Sequence, residues 1–436
     1  MSKLGRREFM GASAAGLATA AAIRSAKAKT VAPSDQLGAG FIGLGRQGTF
    51  NMRKFLEYPD FRAVAVCDVY EPHLQRAKEE TGAEAYRDFR RVLDRDDIDV
   101  VMIASPDHWH AAMAVMACDA GKDVYVEKPI CVAVAEGRAM VEAARRNQRV
   151  VQVGTQQRSG RHFQEAVQLI RRGDLGKITS VRCWNFGNST PDGIGNLPDS
   201  DPPADLDWDM WLGPAPKVPF NANRFGVFPD RWSSFRWFWD YAGGMMTDWG
   251  VHHLDIIQWA MNVEAPVAVS ASGGKLGLHD DRETPDTLTA TFEYPGFLCT
   301  YEYRECNSSR INEHGYGIEF YGSEGTLFLD RSGFQITPQT VRREDKDIPR
   351  MYAMQYPNTN DNNHDHVGNL LECIRSRKQP ISDIEIGHRS SSTCFLGNIS
   401  IRTGHKIRWD ADNEMIPDDA EAASYLKRAY RTPWKL

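Results

Sequence analysis

Phe41-Ile42-Gly43-Leu44-Gly45-Arg46-Gln47-Gly48 closes an apolar run that begins at Leu37. The run reads as a short buried strand, Leu37–Ile42, and the glycines that follow it keep the G-x-G-x-x-G spacing. In such a turn Gly43 allows the reversal, Gly45 lets the main chain approach a pyrophosphate, and Gly48 lets the next helix pack close to the strand. The helix predicted over Arg46–Leu56 aims its first N–H groups, at Arg46 and Gln47, toward the phosphates. A second strand, 63–67, ends in Asp68, about 20 residues after the last glycine. A carboxylate there accepts hydrogen bonds from a ribose 2′-OH and repels a 2′-phosphate. Val69 and Tyr70 add no positive charge, so NAD is favoured over NADP; Arg46 is the one nearby cation able to meet a phosphate.

Outward from this stretch, strands and helices alternate. Strands are predicted at 99–104, 123–126 and 150–153, and helices at Glu71–Thr81, 110–120 and 133–147. Buried apolar strands separated by helices of this length imply an α/β domain with a doubly wound parallel sheet, here placed at 37–155. Ligands bind such sheets beyond the carboxyl ends of the strands, so residues 43–48, Asp68, 105–110 and 127–129 share one edge. A second α/β domain, 156–436, follows. It has a helix over Arg161–Arg172, a strand over Ile178–Phe186, and a long irregular stretch to Arg236 rich in Pro, Asp and Trp. A single helix is predicted over 244–262, then strands at 267–272, Thr287–Tyr294, 298–304, 317–321 and 326–329, and helices near 364–376 and 386–403. Turns at Pro295-Gly296 and Ser323-Glu324-Gly325 make this sheet open and predominantly antiparallel.

The length of 436 residues suits two domains. A net charge of −6, without a basic cluster interleaved with aromatics, argues against a nucleic-acid surface. No apolar run reaches the roughly 18 to 20 residues that span a bilayer. Arg6-Arg7-Glu8-Phe9-Met10, a small-residue stretch at 11–23 and Ala26-Lys27-Ala28 read as a twin-arginine signal peptide, 1–28, with a linker at 29–36. The expectation is a periplasmic or otherwise exported protein whose partner in transit is the twin-arginine machinery. The eight cysteines form no C-x-x-C pair; Cys67 and Cys118 fall where core residues belong. Folding in a reducing cytoplasm before export accords with that, and lets a cofactor be acquired first.

Two constellations carry chemistry. Glu127-Lys128-Pro129 ends a strand on the cofactor edge, where an ammonium would hydrogen-bond a substrate hydroxyl and stabilise oxygen charge as hydride leaves. Burial and neighbouring positive charge would lower its pKa and make it a base. Gly243-Gly244-Met245-Met246-Thr247-Asp248-Trp249-Gly250-Val251-His252-His253 opens a helix in which Asp248 and His252 stand four apart on one face, with Asp255 a turn beyond. A carboxylate and an imidazole so placed bind a diol and pass a proton. His253 falls roughly 140° away from Asp248 and reads as a core residue. His108/His110 and His364/His366 are two-apart pairs without a closing carboxylate, so no metal site is assigned. Eight of the eleven tryptophans fall between Trp184 and Trp259; some are placed to stack on sugar faces, and at least half are core and loop packing.

In order along the chain, Gly43 to Gly48, Asp68, Ser105-Pro106-Asp107, Glu127-Lys128-Pro129 and Asp248-x-x-x-His252 resemble the motifs of the glucose–fructose oxidoreductase / inositol dehydrogenase / MocA family. Asp205-Leu206-Asp207-Trp208-Asp209-Met210-Trp211-Leu212-Gly213-Pro214 and Gly387-His388-Arg389 resemble its exported bacterial branch. The resemblance implies an NAD-dependent enzyme acting on a sugar, polyol or glycoside hydroxyl, commonly as a homo-oligomer. It implies that Lys128 orients and polarises the substrate, that His252 is the general acid/base and that Asp248 orients one or the other. Ser105, Pro106, His108, His110, Glu127, Lys128 and Gln156 join the cofactor-binding set, and Arg158 joins the substrate-binding set. Three activities follow: a dehydrogenase holding its nicotinamide tightly, a glycoside hydrolase or lyase that oxidises a ring hydroxyl transiently, and a non-catalytic nucleotide or sugar sensor. Export favours a closed redox cycle. The Thr-His-Gly motif associated with the N-acetylgalactosaminidase members is missing, which counts against that substrate.

Overall fold

Six apolar runs build the first sheet: β1 (Leu37–Ile42), β2 (Phe61–Cys67), β3 (Glu84–Tyr86), β4 (Val100–Ile103), β5 (Asp123–Val126) and β6 (Val151–Val153). In the computed structural model they lie in the order β3-β2-β1-β4-β5-β6, all parallel. The described residues are 32, 35–228 and 233–436; residues 1–28, read from the sequence as a signal peptide, and most of 29–36 lie outside them. Ile42 pairs with Cys67 on one side and Ile103 on the other, and Ile103 pairs with Val126. The register therefore ends four strands at one level, and Gly43, Asp68, Ala104 and Glu127 leave the sheet together. β3 escapes the sequence pattern because it has three residues, none of them fully buried. The next helix starts at Asp107, with Pro106 as its N-cap, three residues before the predicted start.

The second sheet holds β7 (Ile178–Phe186), β8 (Ala268–Gly274), β9 (Thr287–Tyr294), β10 (Phe297–Arg304), β11 (Tyr316–Gly322), β12 (Gly325–Asp330) and β13 (Gly333–Pro338). A separate hairpin, β14 (Thr340–Arg343) and β15 (Lys346–Pro349), comes next, then β16 (Met354–Pro357) and β17 (Ile407–Arg408). Its order is β16-β13-β12-β11-β7-β10-β9-β8-β17. Every neighbouring pair is antiparallel except β7 with β10. Along β9, Leu288, Ala290, Phe292 and Tyr294 alternate inward, against the helices Arg161–Arg172, Gly250–Met261 and Ile384–Thr403 that cover this face. The edge strands β16 and β17, and β13 beside β16, carry little continuous apolar signal, and sequence alone leaves them out. Among the described residues no helix is long and apolar enough to cross a membrane.

The helix predicted over 244–262 is two helices, Gly244–Asp248 and Gly250–Met261, separated at Trp249. An unbroken helix would give the Asp248 carbonyl to the N–H of His252. Instead the His252 N–H donates to the Trp249 carbonyl at 3.0 Å, and the Asp248 carbonyl accepts from Lys128 Nζ at 3.0 Å. The break is thus produced by a residue 120 positions away.

Between β7 and these helices the chain makes a long excursion back to the first domain. Tyr70 and Leu206 form an isolated bridge, the Glu71 N–H donates to the Asp205 carbonyl at 3.0 Å, and the Asp207 N–H donates to the Val69 carbonyl at 3.1 Å. The excursion contains two short helices, Trp208–Leu212 and Ala222–Phe225. It is pinned from the far end of the chain: Arg431 donates from Nη1 to Asp209 at 2.8 Å and from Nε to the Gly213 carbonyl at 2.9 Å, and Arg428 donates to Glu136 and to the His108 carbonyl, both at 2.7 Å. Gly213, at φ +47°, lets Trp109 lie against the main chain, since a Cβ there would stand 2.0 Å from the indole.

The glycine turn separates packing from open space. A Cβ on Gly48 would stand 1.8 Å from the Gly43 carbonyl oxygen, whereas one on Gly45 would meet nothing nearer than His73 Cε1 at 3.8 Å. Gly48→Ala should therefore destabilise the protein by about 1–3 kcal/mol, and Gly45→Ala by less than about 0.5 kcal/mol, in urea unfolding. Equal effects would contradict this division. Buried histidines set the acid limit. Burial holds His253, with help from Arg331, down at about 3 and His366 down at about 4. The unfolded chain binds these protons near pH 6.5 and the folded chain refuses them, so stability is full above that pH and falls as pH drops toward 4. At pH 5 each histidine should cost about 2 kcal/mol. An unchanged urea midpoint between about pH 7.5 and about pH 5 would refute this.

Candidate active site

Asp68 closes the glycine turn. Its Oδ2 accepts the Leu44 N–H at 2.7 Å, its Oδ1 accepts the Tyr70 N–H at 2.9 Å, and His73 Nδ1 lies 3.4 Å from Oδ2. Gly43, at φ +79°, passes so near β4 that a Cβ would stand 2.4 Å from the Ser105 nitrogen. Room is left only over Gly45, at the N-terminus of Arg46–Leu56, where backbone N–H groups and open space coincide. The residues present therefore fit a dinucleotide whose pyrophosphate lies over Gly45.

Gln47 is half-buried and partly engaged within the protein. Its Nε2 donates to Asn51 Oδ1 at 2.9 Å, and Asn51 Nδ2 donates to Glu127 Oε1 at 2.8 Å. This polar chain ties the glycine helix to the strand end that carries Lys128. Asn51, a buried amide inside a helix, carries no sequence signal beyond its i, i+4 spacing from Gln47. Arg46 is exposed at the first helical position. The sequence places His108 and His110 with the cofactor; the structure gives both imidazoles other partners. His110 lies buried between two carbonyls, Nδ1 2.7 Å from Pro129 and Nε2 2.8 Å from Ser105, and so joins the Ser105-Pro106 turn to the Lys128-Pro129 turn. His108 Nε2 is 3.0 Å from the Trp211 carbonyl, and its ring packs on Trp211 and Tyr241. Gln156 is half-buried at the start of the turn Gln156–Ser159 after β6. Arg158, assigned to substrate, is buried and donates from Nε to Asp255 Oδ2 at 2.7 Å, with its guanidinium over Trp259. Arg158 and Asp255 thus form a buried ion pair, in which Asp255 Oδ1 has no hydrogen-bond partner among the described residues.

Lys128 and Asp248 are brought together. Lys128 Nζ donates to Asp248 Oδ1 at 2.8 Å and to the Asp248 carbonyl at 3.0 Å. An ammonium has three donors, so one N–H remains for a ligand. The other carboxylate oxygen, Oδ2, lies 2.8 Å from Arg236 Nη1. Burial opposes the charge on Asp248, but Arg236 and Lys128 together hold its carboxyl well below the usual range. Arg236 emerges from the irregular stretch, where no periodicity marks it. Asp248 makes no hydrogen bond to His252, because the break at Trp249 redirects the turn between them.

The other titratable groups are shifted toward neutrality. Burial drives His252 far below the ordinary histidine value, and Lys128, Arg331 and His253 push the same way; its Nδ1 is buried and has no protein partner. Burial raises Asp107 to about 8, with Asp248 adding to the rise and Lys128 and Arg236 opposing it. Burial likewise raises Glu127, against Lys128 and Asn51. A Cβ at Gly154 would stand 2.8 Å from the Glu127 carboxylate, so this glycine makes room for it. The cluster can therefore present one ammonium, one ionised carboxylate and one neutral imidazole to a hydroxyl.

Residues 37–155 match the family described as an oxidoreductase family with an NAD-binding Rossmann fold. Residues 157–285 and 339–436 match its C-terminal alpha/beta domain. A glycosyl hydrolase family 109 protein of Shewanella baltica is 32% identical over 209 residues, 41% of this chain and 45% of that protein; the chain thus spans about half the length of this relative. Levoglucosan dehydrogenase, solved with NADH and levoglucosan, shares the fold at a TM-score of 0.64 and 18% identity, covering 86% of this chain and 99% of its own. The WlbA dehydrogenase of Bordetella pertussis, solved with NADH and UDP-GlcNAcA, does so at 0.65 and 19%, covering 86% and 100%. With both domains matched in order over most of its length, the chain belongs to the Gfo/Idh/MocA oxidoreductase family.

Proposed function

We propose that the protein is an NAD-dependent oxidoreductase that moves a hydride between a carbohydrate carbinol and a tightly held nicotinamide. The observation that carries this is Lys128. It stands on the cofactor edge with two of its donors spent on Asp248, beside a neutral imidazole at His252. A bound nicotinamide supplies the hydride acceptor. Lys128 gives its remaining N–H to the substrate hydroxyl oxygen and stabilises the charge that develops there. His252, uncharged and with Nδ1 unpartnered, takes the hydroxyl proton. Asp248, locked between Lys128 and Arg236, fixes the ammonium rather than the imidazole. The Gln47–Asn51–Glu127 chain holds the glycine helix in register with Lys128.

A second reading is favoured by the relative named a glycosyl hydrolase family 109 protein. There the same oxidation acidifies the C–H beside the new ketone, the glycosidic bond is eliminated, water adds, and the ketone is reduced again. An exported enzyme, as Arg6-Arg7 and the segment after it suggest, would gain from this closed cycle, because it consumes no free nucleotide.

Lys128→Ala and His252→Ala should each lower turnover at least about 10²-fold, with folding checked by thermal melting; near-normal turnover in a folded variant would remove that residue from the chemistry. Asp68→Ala should weaken NAD binding about 10-fold or more and narrow the preference over NADP. Unchanged affinity for both nucleotides would mean that the glycine edge binds something else. Nitrophenyl glycosides separate the two readings. Released nitrophenol without net NADH indicates the hydrolase, and a keto-sugar with stoichiometric NADH indicates the dehydrogenase.

A further inference from the structure

Arg331 occupies the turn between β12 and β13, where its carbonyl accepts from Asn358 Nδ2 at 3.1 Å. Its guanidinium lies over Trp249, 4.6 Å from the ring centre. Trp249 in turn packs on Tyr316 at 4.7 Å and stands 6.2 Å from the His252 ring. Arg331 Nε is buried without an acceptor, and among the described residues the side chain makes no hydrogen bond or ion pair. Trp249 thus places it one ring away from His252, and its charge opposes protonation of that imidazole.

The local charge balance leaves this cation over. Asp248 is shared by Lys128 and Arg236. Asp330, the adjacent carboxyl, is already engaged by His314 at 3.0 Å and by the Ser332 N–H at 2.7 Å, and Glu127 is raised by burial. A buried cation without a partner is a costly arrangement unless an anion arrives from outside. A guanidinium edge is planar and takes a carboxylate through two parallel hydrogen bonds.

We propose that Arg331 receives a carboxylate of the substrate, so that the sugar engaged by Lys128 and His252 is an acidic one, a uronic acid or its glycoside. This rests on the reading of the Lys128–His252 cluster as a carbohydrate site. Aromatic stacking on Trp249 holds the guanidinium in place, and the ligand carboxylate completes its hydrogen bonding.

The test is calorimetric titration of the full chain, saturated with NAD, using D-glucuronate, D-galacturonate, their neutral parents D-glucose and D-galactose, and D-glucose 6-phosphate. At least one uronate should bind about 10-fold or more tightly than its parent. In Arg331→Gln the preference should fall to within about twofold, and in Arg331→Lys it should be only partly kept. Equal affinity for acid and parent, binding of neither uronate, or a preference that survives Arg331→Gln would overturn the proposal. Tighter binding of the phosphate than of both uronates would overturn the carboxylate. Should Arg331→Gln not fold, methyl esterification of the uronate takes its place: the wild type should then lose the preference, and its survival would equally overturn the proposal. Failure to bind NAD would sink the proposed oxidoreductase instead, and a uronate preference in that nucleotide-free protein would still uphold the role of Arg331.

Discussion

The contact between Lys128 and Asp248 is the constraint on which the site depends. It crosses from the end of a parallel strand to the end of a short helix in the other domain, and it takes both a carboxylate oxygen and a main-chain carbonyl. The carbonyl is available only because the helix stops, and the helix stops there because the ammonium replaces the next N–H. Buried ion pairs of this kind add little net stability, since desolvation offsets the Coulombic gain. What they provide here is position: the lysine cannot rotate away, and His252 starts a new helix at an angle set by the break.

Around that pair the protein suppresses charge. Five buried groups, His252, His253, His110, Asp107 and Glu127, are each shifted toward the neutral form chiefly by loss of water. Asp248 moves the opposite way because two cations contact it. Asp107 and Asp248, carboxyls of one type, are thus pushed in opposite directions by their surroundings. His110 shows the structural side of the same pattern, since its ring spans the two turns that present Ser105 and Lys128.

Sequence legibility follows locality. The glycine turn, Asp68 and the Glu127-Lys128-Pro129 triplet lie at the ends of strands, and a parallel sheet brings strand ends to one edge by its construction. Their placement is readable from alternation alone. The strands Thr287–Tyr294 and Ile178–Phe186 are readable from their patterns, and β3, β16 and β17, short strands at sheet edges, are not. The break at Trp249 cannot be seen because residues 244–262 keep a helical period and its cause lies in another domain. Arg236 and Arg331 come from an irregular stretch and from a tight turn, whose approach to Lys128 is decided by the path of the whole chain. Arg158 and Asp255 look like site residues in the sequence and instead pair with each other.

The far end of the chain bears on how the molecule folds. Arg428 reaches the His108 carbonyl across 320 positions, and Tyr430 reaches Glu136 across 294. Contacts of such separation form late, because loop closure must come before they are rewarded. The excursion's hydrogen bonds to Val69 and Glu71, held by Arg431, belong to the same late class. The nucleotide edge is thus open to solvent for most of the folding path and is roofed only when the two domains are already in register.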